Sequence, residues 1–494
     1  MTETSTSADL RATAIELAGD GLQLLVGGRL VDSIEGATLP VFDPSTGEEV
    51  ASVPRAALSD VDAAVTAARA AVKNGWGRLN AKDREAAMRR IAALLDRDRE
   101  QLALLEALDT GKPIAMSRAV DVPLAIDTFD YYSGWPTKLF GDTIPSGGPD
   151  MHVYTRLEPV GVTTQIIPWN FPIFDAAGRI AMGMAAGTPV ILKPAEVTPL
   201  SAMYLARLVA EADLPEGVVS ILPGYGHDAG QRLVEHPGID AVGFTGSTSV
   251  GRKLAATAGS LLKPISLELG GKSPNVLFAD CDVEAAIESA VSGIYLNAGQ
   301  VCSAGSRLLV QDDIYDEVVT ALAAKADGMR VGRAFDDGTE MGPVVSAAQL
   351  QKVQEYVGYG HEDGRVLTSS GDLPTDGYFA APTIVADLPR DSRVITEEIF
   401  GPVLAVERFS TFDDAVELAN GGAYGLASAV WSENGRTATR FAHALEAGTV
   451  WVNCFHQYDI AVPWGGVKAS GFGRERGKES LGHLTTPKVV WNAL

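Results

Sequence analysis

The sequence predicts an α/β protein: a doubly wound parallel sheet, a second α/β unit after it, and a few strands outside both. Two observations carry this. From Gly161 onward, short β-rich runs alternate with helical runs, the order of a parallel sheet joined by crossover helices. Each β-rich run also ends in polar or glycine residues, and open parallel sheets bind ligands at the carboxyl ends of their strands.

The first 150 residues read as mainly helical. "DVDAAVTAARAAV" (Asp60 to Val72) follows Ser59 as a candidate N-cap, and a long run from Asp83 to Leu108 stops at "DTGKP", where Gly111 and Pro113 end helices. The alternation then runs in order. "GVTTQIIP" precedes "FDAAGRIAMGMAAG", "TPVILKP" precedes "SAMYLARLVAEAD", and "VVSILPG" precedes "DAGQRLVEH". "DAVGFTG" precedes "STSVGRKLAATAG", and "PISLELG" closes the series, giving five strands and four helices. A second α/β stretch starts at Asn275 in "NVLFAD" and continues to about residue 467. "GGPDMHVYTRLEP" (Gly147 to Pro159) and the terminal "TPKVVWNAL" read as strands apart from both units.

Composition narrows the function. The chain of 494 residues has 40 Lys+Arg against 63 Asp+Glu, a formal charge of −23, which repels phosphate backbones and argues against nucleic-acid binding. No apolar run approaches the roughly 20 residues that span a bilayer, so no membrane partner is expected. "MTETSTSADL" lacks the basic start and apolar core of a secretory signal. Cys281, Cys302 and Cys454 are scattered and form no CxxC pair, against a disulfide framework or a zinc site. A cytoplasmic protein without a metal is expected.

Read to their ends, the five strands deliver Trp169-Asn170, Lys193-Pro194, Gly224, Gly246-Ser247 and Glu268 to one rim. Gly246 and Ser247 stand at a strand-to-helix junction, where free N–H groups and the helix dipole attract a pyrophosphate; the alternative is an ordinary N-cap serine. "GYGHDAG" (Gly224 to Gly230) is spaced GxGxxxG and reads as a turn beside an adenine rather than a phosphate cradle. Lys193 and Glu196 could hydrogen-bond an adenosine ribose, and a glutamate there repels a 2′-phosphate, favouring NAD over NADP; a solvated charge pair is the alternative. Glu268 lies between leucines with glycines after it and no lysine adjacent. Burial would raise its pKa towards that of a general base, unless a salt bridge claims it.

Cys302 follows a helical pattern and sits among Gly299, Ser303, Ala304 and Gly305. A core cysteine lies inside an element among large apolar neighbours, as Cys454 is expected to in "TVWVNC". A thiol in a turn of small residues is open to a substrate carbon, so Cys302 reads as a nucleophile.

These motifs together resemble the aldehyde dehydrogenase superfamily. "IIPWNFP", "KPAEVTP", "GFTGSTSVG", "LELGGKSPN", "GQVCSAGSR", "EEIFGPV" and "PWGGVKASGFGRE" occur in that family's order, and the resemblance runs from "FDPSTGE" to the last strand. It implies a Rossmann-like NAD-binding domain (1–137 and 160–270), a catalytic domain (271–467) and an oligomerisation arm (138–159 and 483–494) that makes a homodimer or homotetramer. It implies that Cys302 attacks an aldehyde as thiolate, that Asn170 and the Cys302 N–H hold the oxyanion, and that Glu268 activates water against a thioester. It places Ile167, Trp169, Lys193, Glu196, Gly226, Gly246, Ser247, Glu398 and Phe400 against NAD and requires no metal.

The resemblance further implies that substrate choice falls to a tunnel lined by helix positions after Asn170. Gly178 stands where many family members carry a large aromatic, Asp175 is unusual in an apolar tunnel, and Phe455, His456, Tyr458 and Trp464 stand at its mouth. An open aromatic tunnel predicts a bulky, aromatic or medium-chain aldehyde. The alternative is a cationic one, a betaine or amino aldehyde, held by Asp175, Tyr458 and Trp464. A cysteine thioesterase or acyltransferase would want a histidine base, and none of the seven falls at a strand end of this rim. A non-catalytic structural member would be free to lose Cys302, Glu268 or Asn170, and all three are present.

Overall fold

Five parallel strands form where the alternation places them: Thr163–Ile166, Val190–Lys193, Val219–Ile221, Ala241–Thr245 and Ile265–Glu268. They belong to a computed structural model that describes residues 6–368 and 371–494; the first five residues of the predicted NAD-binding domain lie outside these. Nearly every residue of the five strands is buried, as expected of a sheet covered by helices on both faces.

Their spatial order determines where a ligand can enter. Val219–Ile221, Val190–Lys193, Thr163–Ile166, Ala241–Thr245 and Ile265–Glu268 lie side by side in that sequence. The chain begins in the middle of the sheet, builds outward, then crosses back, so a crevice opens at the carboxyl ends of Thr163–Ile166 and Ala241–Thr245. The register aligns those ends: Ile166 pairs with Lys193 and Phe244, and Thr245 pairs with Glu268. The helix Pro172–Ala186 leaves this rim with Pro172 at its first position and ends on Gly187 in the left-handed conformation.

The second sheet has seven strands. Thr383–Ala386, Val403–Phe409, Arg307–Gln311, Pro274–Leu277, Ala427–Trp431 and Thr449–Val452 run parallel, and Arg365–Thr368 is antiparallel at one edge. A buried ion pair crosses it, Arg307 Nε to Glu407 Oε1 at 2.8 Å, with a further Arg307 N–H donated to the Leu418 carbonyl at 3.1 Å. The outlying strands Thr143–Ile144, Met151–Pro159 and Thr485–Ala493 make a three-stranded antiparallel sheet, paired continuously from Thr485–Pro159 to Ala493–Met151. No described residue pairs with the outer edge of Thr485–Ala493, and Val489 and Trp491 are more than half exposed there.

Several local expectations need correction. Besides Thr143–Ile144, the described part of the region read as mainly helical contains the short strands Leu24–Val26, Arg29–Val31, Thr38–Phe42 and Glu49–Pro54. Gly27 and Gly28 supply the positive φ of a tight hairpin, which docks on the first sheet through Leu25 and Ile221. Ser59 is not an N-cap: the helix begins at Leu58, and the Asp60 carboxylate accepts the Ala57 N–H at 2.8 Å. The run ending at "DTGKP" is two helices, Ala81–Arg97 and Arg99–Thr110, the second closed by left-handed Gly111. Residues Gly471–Phe472, outside every predicted domain segment, add an antiparallel strand beside Ile265–Glu268.

Replacing Glu407 by Ala should leave the Arg307 guanidinium buried without its counter-ion, a loss of about 3–5 kcal/mol. A clear fall in the thermal unfolding midpoint of E407A, with no comparable fall for an exposed pair such as R365A, is the expected result.

Candidate active site

The loop after Thr163–Ile166 carries Asn170, and buried polar groups from three directions fasten it. The Asn170 carbonyl accepts the Lys112 ammonium at 2.9 Å and the Asn297 side-chain amide at 3.1 Å. The Asn170 amide donates to the Gln300 carbonyl at 2.8 Å. Lys112 is itself fully buried and donates to Asp121 at 2.6 Å and Glu106 at 3.3 Å. Glu106 in turn accepts from Ser201 at 2.6 Å and from the Ile173 N–H at 3.2 Å, at the start of the helix that follows. An amide has two N–H donors, so one remains on Asn170 after the bond to Gln300.

Cys302 arrives from the second unit. The helix Val283–Tyr295 stops at a reversal in which Asn297, Ala298 and Gly299 all take positive φ. The chain then turns through Val301–Ala304, closed by the Ala304 N–H on the Val301 carbonyl at 2.9 Å. The Cys302 N–H meets no acceptor among the described residues. Cys302 is half-buried, whereas Cys281 is buried. Cys454, expected inside a strand, lies two residues beyond Thr449–Val452 and is also half-buried.

Glu268 comes to the same place from the last parallel strand. A Cβ on Gly271 would lie 2.3 Å from the Cys302 carbonyl oxygen, so only glycine allows the two segments to touch. Glu268 is 3% exposed, and neither carboxyl oxygen has a hydrogen-bond partner. Burial pushes its pKa up to about 8, against the opposing pull of Arg179, Arg474 and Arg476. No lysine adjoins it in the sequence; the tertiary structure surrounds it with arginines, none of which bonds to it. Burial also pushes the Cys302 thiol up to about 12, aided by the negative charges of Asp175, Glu398 and Glu268.

Cys302, Glu268 and Asn170 line one cavity of about 370 Å³. Trp169, Gly246, Ser247, Glu398 and Phe400 line it too, as do Phe174, Asp175, His456, Tyr458, Trp464 and Arg476. Ser247 caps the helix Thr248–Ser260 by accepting the Val250 N–H at 3.4 Å, so it is an N-cap serine and also stands on the cavity wall. Glu398 accepts the Gly271 N–H at 3.0 Å, and the Phe400 ring meets Trp169 edge-on at 5.1 Å. Lys193 and Glu196 pair at 3.1 Å, and Glu196 borders an adjoining cavity of about 270 Å³ that shares Trp169. Burial lowers the Lys193 pKa.

Four expected residues stand elsewhere. Ile167 is buried behind the rim, its N–H on the Lys193 carbonyl at 3.1 Å. Gly226 opens the turn Gly226–Gly230, away from the cavity lining. Phe455 packs behind Cys302, where Cβ atoms on Gly293 or Gly305 would touch its ring, and neighbouring His456 faces the cavity instead. Gly178 borders a small side cavity of about 20 Å³ with Tyr132 and Arg179, one helical turn beyond Asp175. No histidine falls at a strand end of the rim, but His456, expected at the tunnel mouth, shares the thiol's cavity; burial lowers the His456 pKa to about 4, which leaves a weak base. Lys112 and Arg476 were missed. Lys112 lies in "DTGKP", read only as a helix stop, and Arg476 follows the last residue of "GFGRE".

The sequence pattern of the aldehyde dehydrogenase family matches residues 30–490. The putative aldehyde dehydrogenase DhaS of Bacillus subtilis is 45% identical, over 95% of this chain and 95% of its own. The mitochondrial benzaldehyde dehydrogenase of Antirrhinum majus is 44% identical, over 96% of this chain and 89% of its own. The P. syringae indole-3-acetaldehyde dehydrogenase, solved as a mutant with NAD+ and IAA, superposes with a TM-score of 0.96 at 38% identity, over 99% of this chain and all of that one. The chain belongs to the aldehyde dehydrogenase family.

Proposed function

We propose that this protein oxidises an aldehyde to its carboxylic acid with NAD, through a thiohemiacetal and a thioester on Cys302. One observation supports this above the others: a single cavity has Cys302, Glu268 and Asn170 on its wall, together with a helix N-terminus and with an aromatic set. The residues present fit a dinucleotide. Gly246 and Ser247 offer N–H groups at a helix start for a pyrophosphate, Glu398 can accept from a ribose hydroxyl, and Lys193 with Glu196 can hold the other ribose. The Glu196 carboxylate repels a 2′-phosphate and favours NAD over NADP. NAD, when bound, supplies the acceptor for the hydride that leaves the thiohemiacetal carbon.

The chain's own residues do the rest. A thiol near 12 beside a carboxyl near 8 starts as S–H, so attack on the aldehyde carbon requires that Cys302 lose its proton as the C–S bond forms. Glu268 is the base within the cavity. The remaining Asn170 N–H and the free Cys302 N–H point the site towards an oxyanion, at roughly 3–4 kcal/mol per donor. Cys302 is left carrying a thioester. Glu268 gives up to solvent the proton it took from Cys302, then takes one from water as that water attacks the carbonyl; as the C–S bond breaks, this proton passes to the departing sulfur, and the acid leaves with Cys302 restored.

The aromatic wall favours a bulky or aromatic aldehyde over a cationic one, because Arg476 already covers the faces of Phe174, Tyr458 and Trp464. A hydrolase working by a cysteine–histidine pair is disfavoured by the low pKa of His456. The open edge of Thr485–Ala493, with its exposed Val489 and Trp491, supports a homodimer or homotetramer formed by sheet extension, to be read by sedimentation.

Absorbance at 340 nm with NAD and a panel of aldehydes tests the reading. C302A should give no NADH with any of them, while N170A should retain a signal with kcat lowered about 10²- to 10³-fold. Because Glu268 must be ionised to accept a proton, turnover should rise with pH and level off above about 8. E268Q should lose that limb as well as most of the rate; an unchanged limb would assign it to another group.

A further inference from the structure

Three arginines surround Glu268, and two are committed. Arg179 is paired with Glu475 and bonded to Gln165 at 3.2 Å. Arg474 donates to the Gly466 and Gly473 carbonyls at 3.0 and 2.6 Å. Arg476 makes no side-chain hydrogen bond or ion pair among the described residues, yet it is held in place. Its guanidinium carbon lies 4.4 Å from the ring centre of Phe174, 5.3 Å from Tyr458 and 5.4 Å from Trp464. Its backbone is clamped on both sides: Glu475 and Trp464 exchange two backbone hydrogen bonds of 2.6 and 2.7 Å, and the Gly477 N–H bonds the Ile460 carbonyl at 2.8 Å. Arg476 also has a positive φ of 59°, a conformation disfavoured for a residue with a side chain.

A guanidinium presents five N–H donors in a planar fork that matches a carboxylate. Here those donors border the cavity that contains Cys302, with the flat faces occupied by rings and no protein acceptor bonded to them. We propose that Arg476 determines the substrate specificity of this tunnel by binding a carboxylate carried by the aldehyde at the end away from its carbonyl. This rests on the aldehyde-oxidising reading above. Asp175 lines the same cavity and interacts electrostatically with Arg476 without bonding to it, which weakens the pull on any further negative charge. A singly charged carboxylate is therefore a better match than a doubly charged phosphate.

The test compares kcat/KM for matched aldehydes, 4-formylbenzoate against benzaldehyde and succinic semialdehyde against butanal. The charged-to-neutral ratio in at least one pair should fall ten-fold or more in R476L, fall less in R476K, and rise in D175N. Product inhibition of the unmodified protein gives an independent reading: terephthalate or succinate should bind at least ten-fold more tightly than benzoate or butanoate. Benzaldehyde or butanal oxidised with both ratios unmoved in R476L and R476K would overturn the proposal and leave aldehyde oxidation standing. No difference between mono- and dicarboxylate inhibition would overturn it equally. No NADH from any aldehyde would remove both readings.

Discussion

The site depends on one buried clasp. Asn170 belongs to the loop leaving the first sheet, and Gln300 and Asn297 belong to the turn that delivers Cys302. The three are joined by amide–carbonyl hydrogen bonds with Lys112 beneath them. A buried ammonium must be fully paired to be tolerated, and Lys112 meets that demand with two carboxylates and one carbonyl. The same requirement holds the Asn170 loop at a set height above the sheet. The Asn170 amide and the turn that carries Cys302 are thereby held relative to one another.

Glu268 shows the opposite use of burial. Its carboxyl is removed from water and given no donor, which keeps its pKa high enough to exchange protons near neutrality. Glycines at 271 and 465 make this possible: a side chain at either would strike the Cys302 backbone or the Glu268 carboxyl itself, at 2.3 and 2.5 Å. Lys112, paired beneath the Asn170 loop, and Glu268, unpaired on the cavity wall, thus show burial put to opposite uses. Arg476 adds a third arrangement, a cation whose ring contacts hold it while its hydrogen-bonding edge stays free.

The arrangement of the first sheet explains why the rim gathers what it does. Strands that start mid-sheet and later cross back place their carboxyl ends around one crevice, and the register sets Lys193 level with Phe244, one residue below the Thr245–Glu268 pair. The second sheet contributes the thiol, and the segment around Gly471–Phe472 returns to seal the side next to Glu268. That return also places Arg476 against the aromatic residues of the preceding loop.

Much of this was legible in the linear chain. The five parallel strands could be read from β-rich runs alternating with helical ones, because buried strands favour β-branched and apolar residues. Cys302, Glu268 and Asn170 stood out because small neighbours, flanking leucines and a strand end are local features. What tertiary structure alone decided is which groups meet across long separations. Lys112 lies within a helix stop, Arg476 falls just beyond a motif, and Phe455 is expected on the tunnel wall but packs behind Cys302. What each of them touches is decided by packing that no local pattern encodes, since the direction a side chain faces depends on how two sheets and a returning C-terminal segment are docked. Within residues 24–54, the three-residue strands Leu24–Val26 and Arg29–Val31 carry too little periodicity to register until an existing sheet edge accepts them, whereas Thr38–Phe42 and Glu49–Pro54 pair with each other in a separate two-stranded sheet.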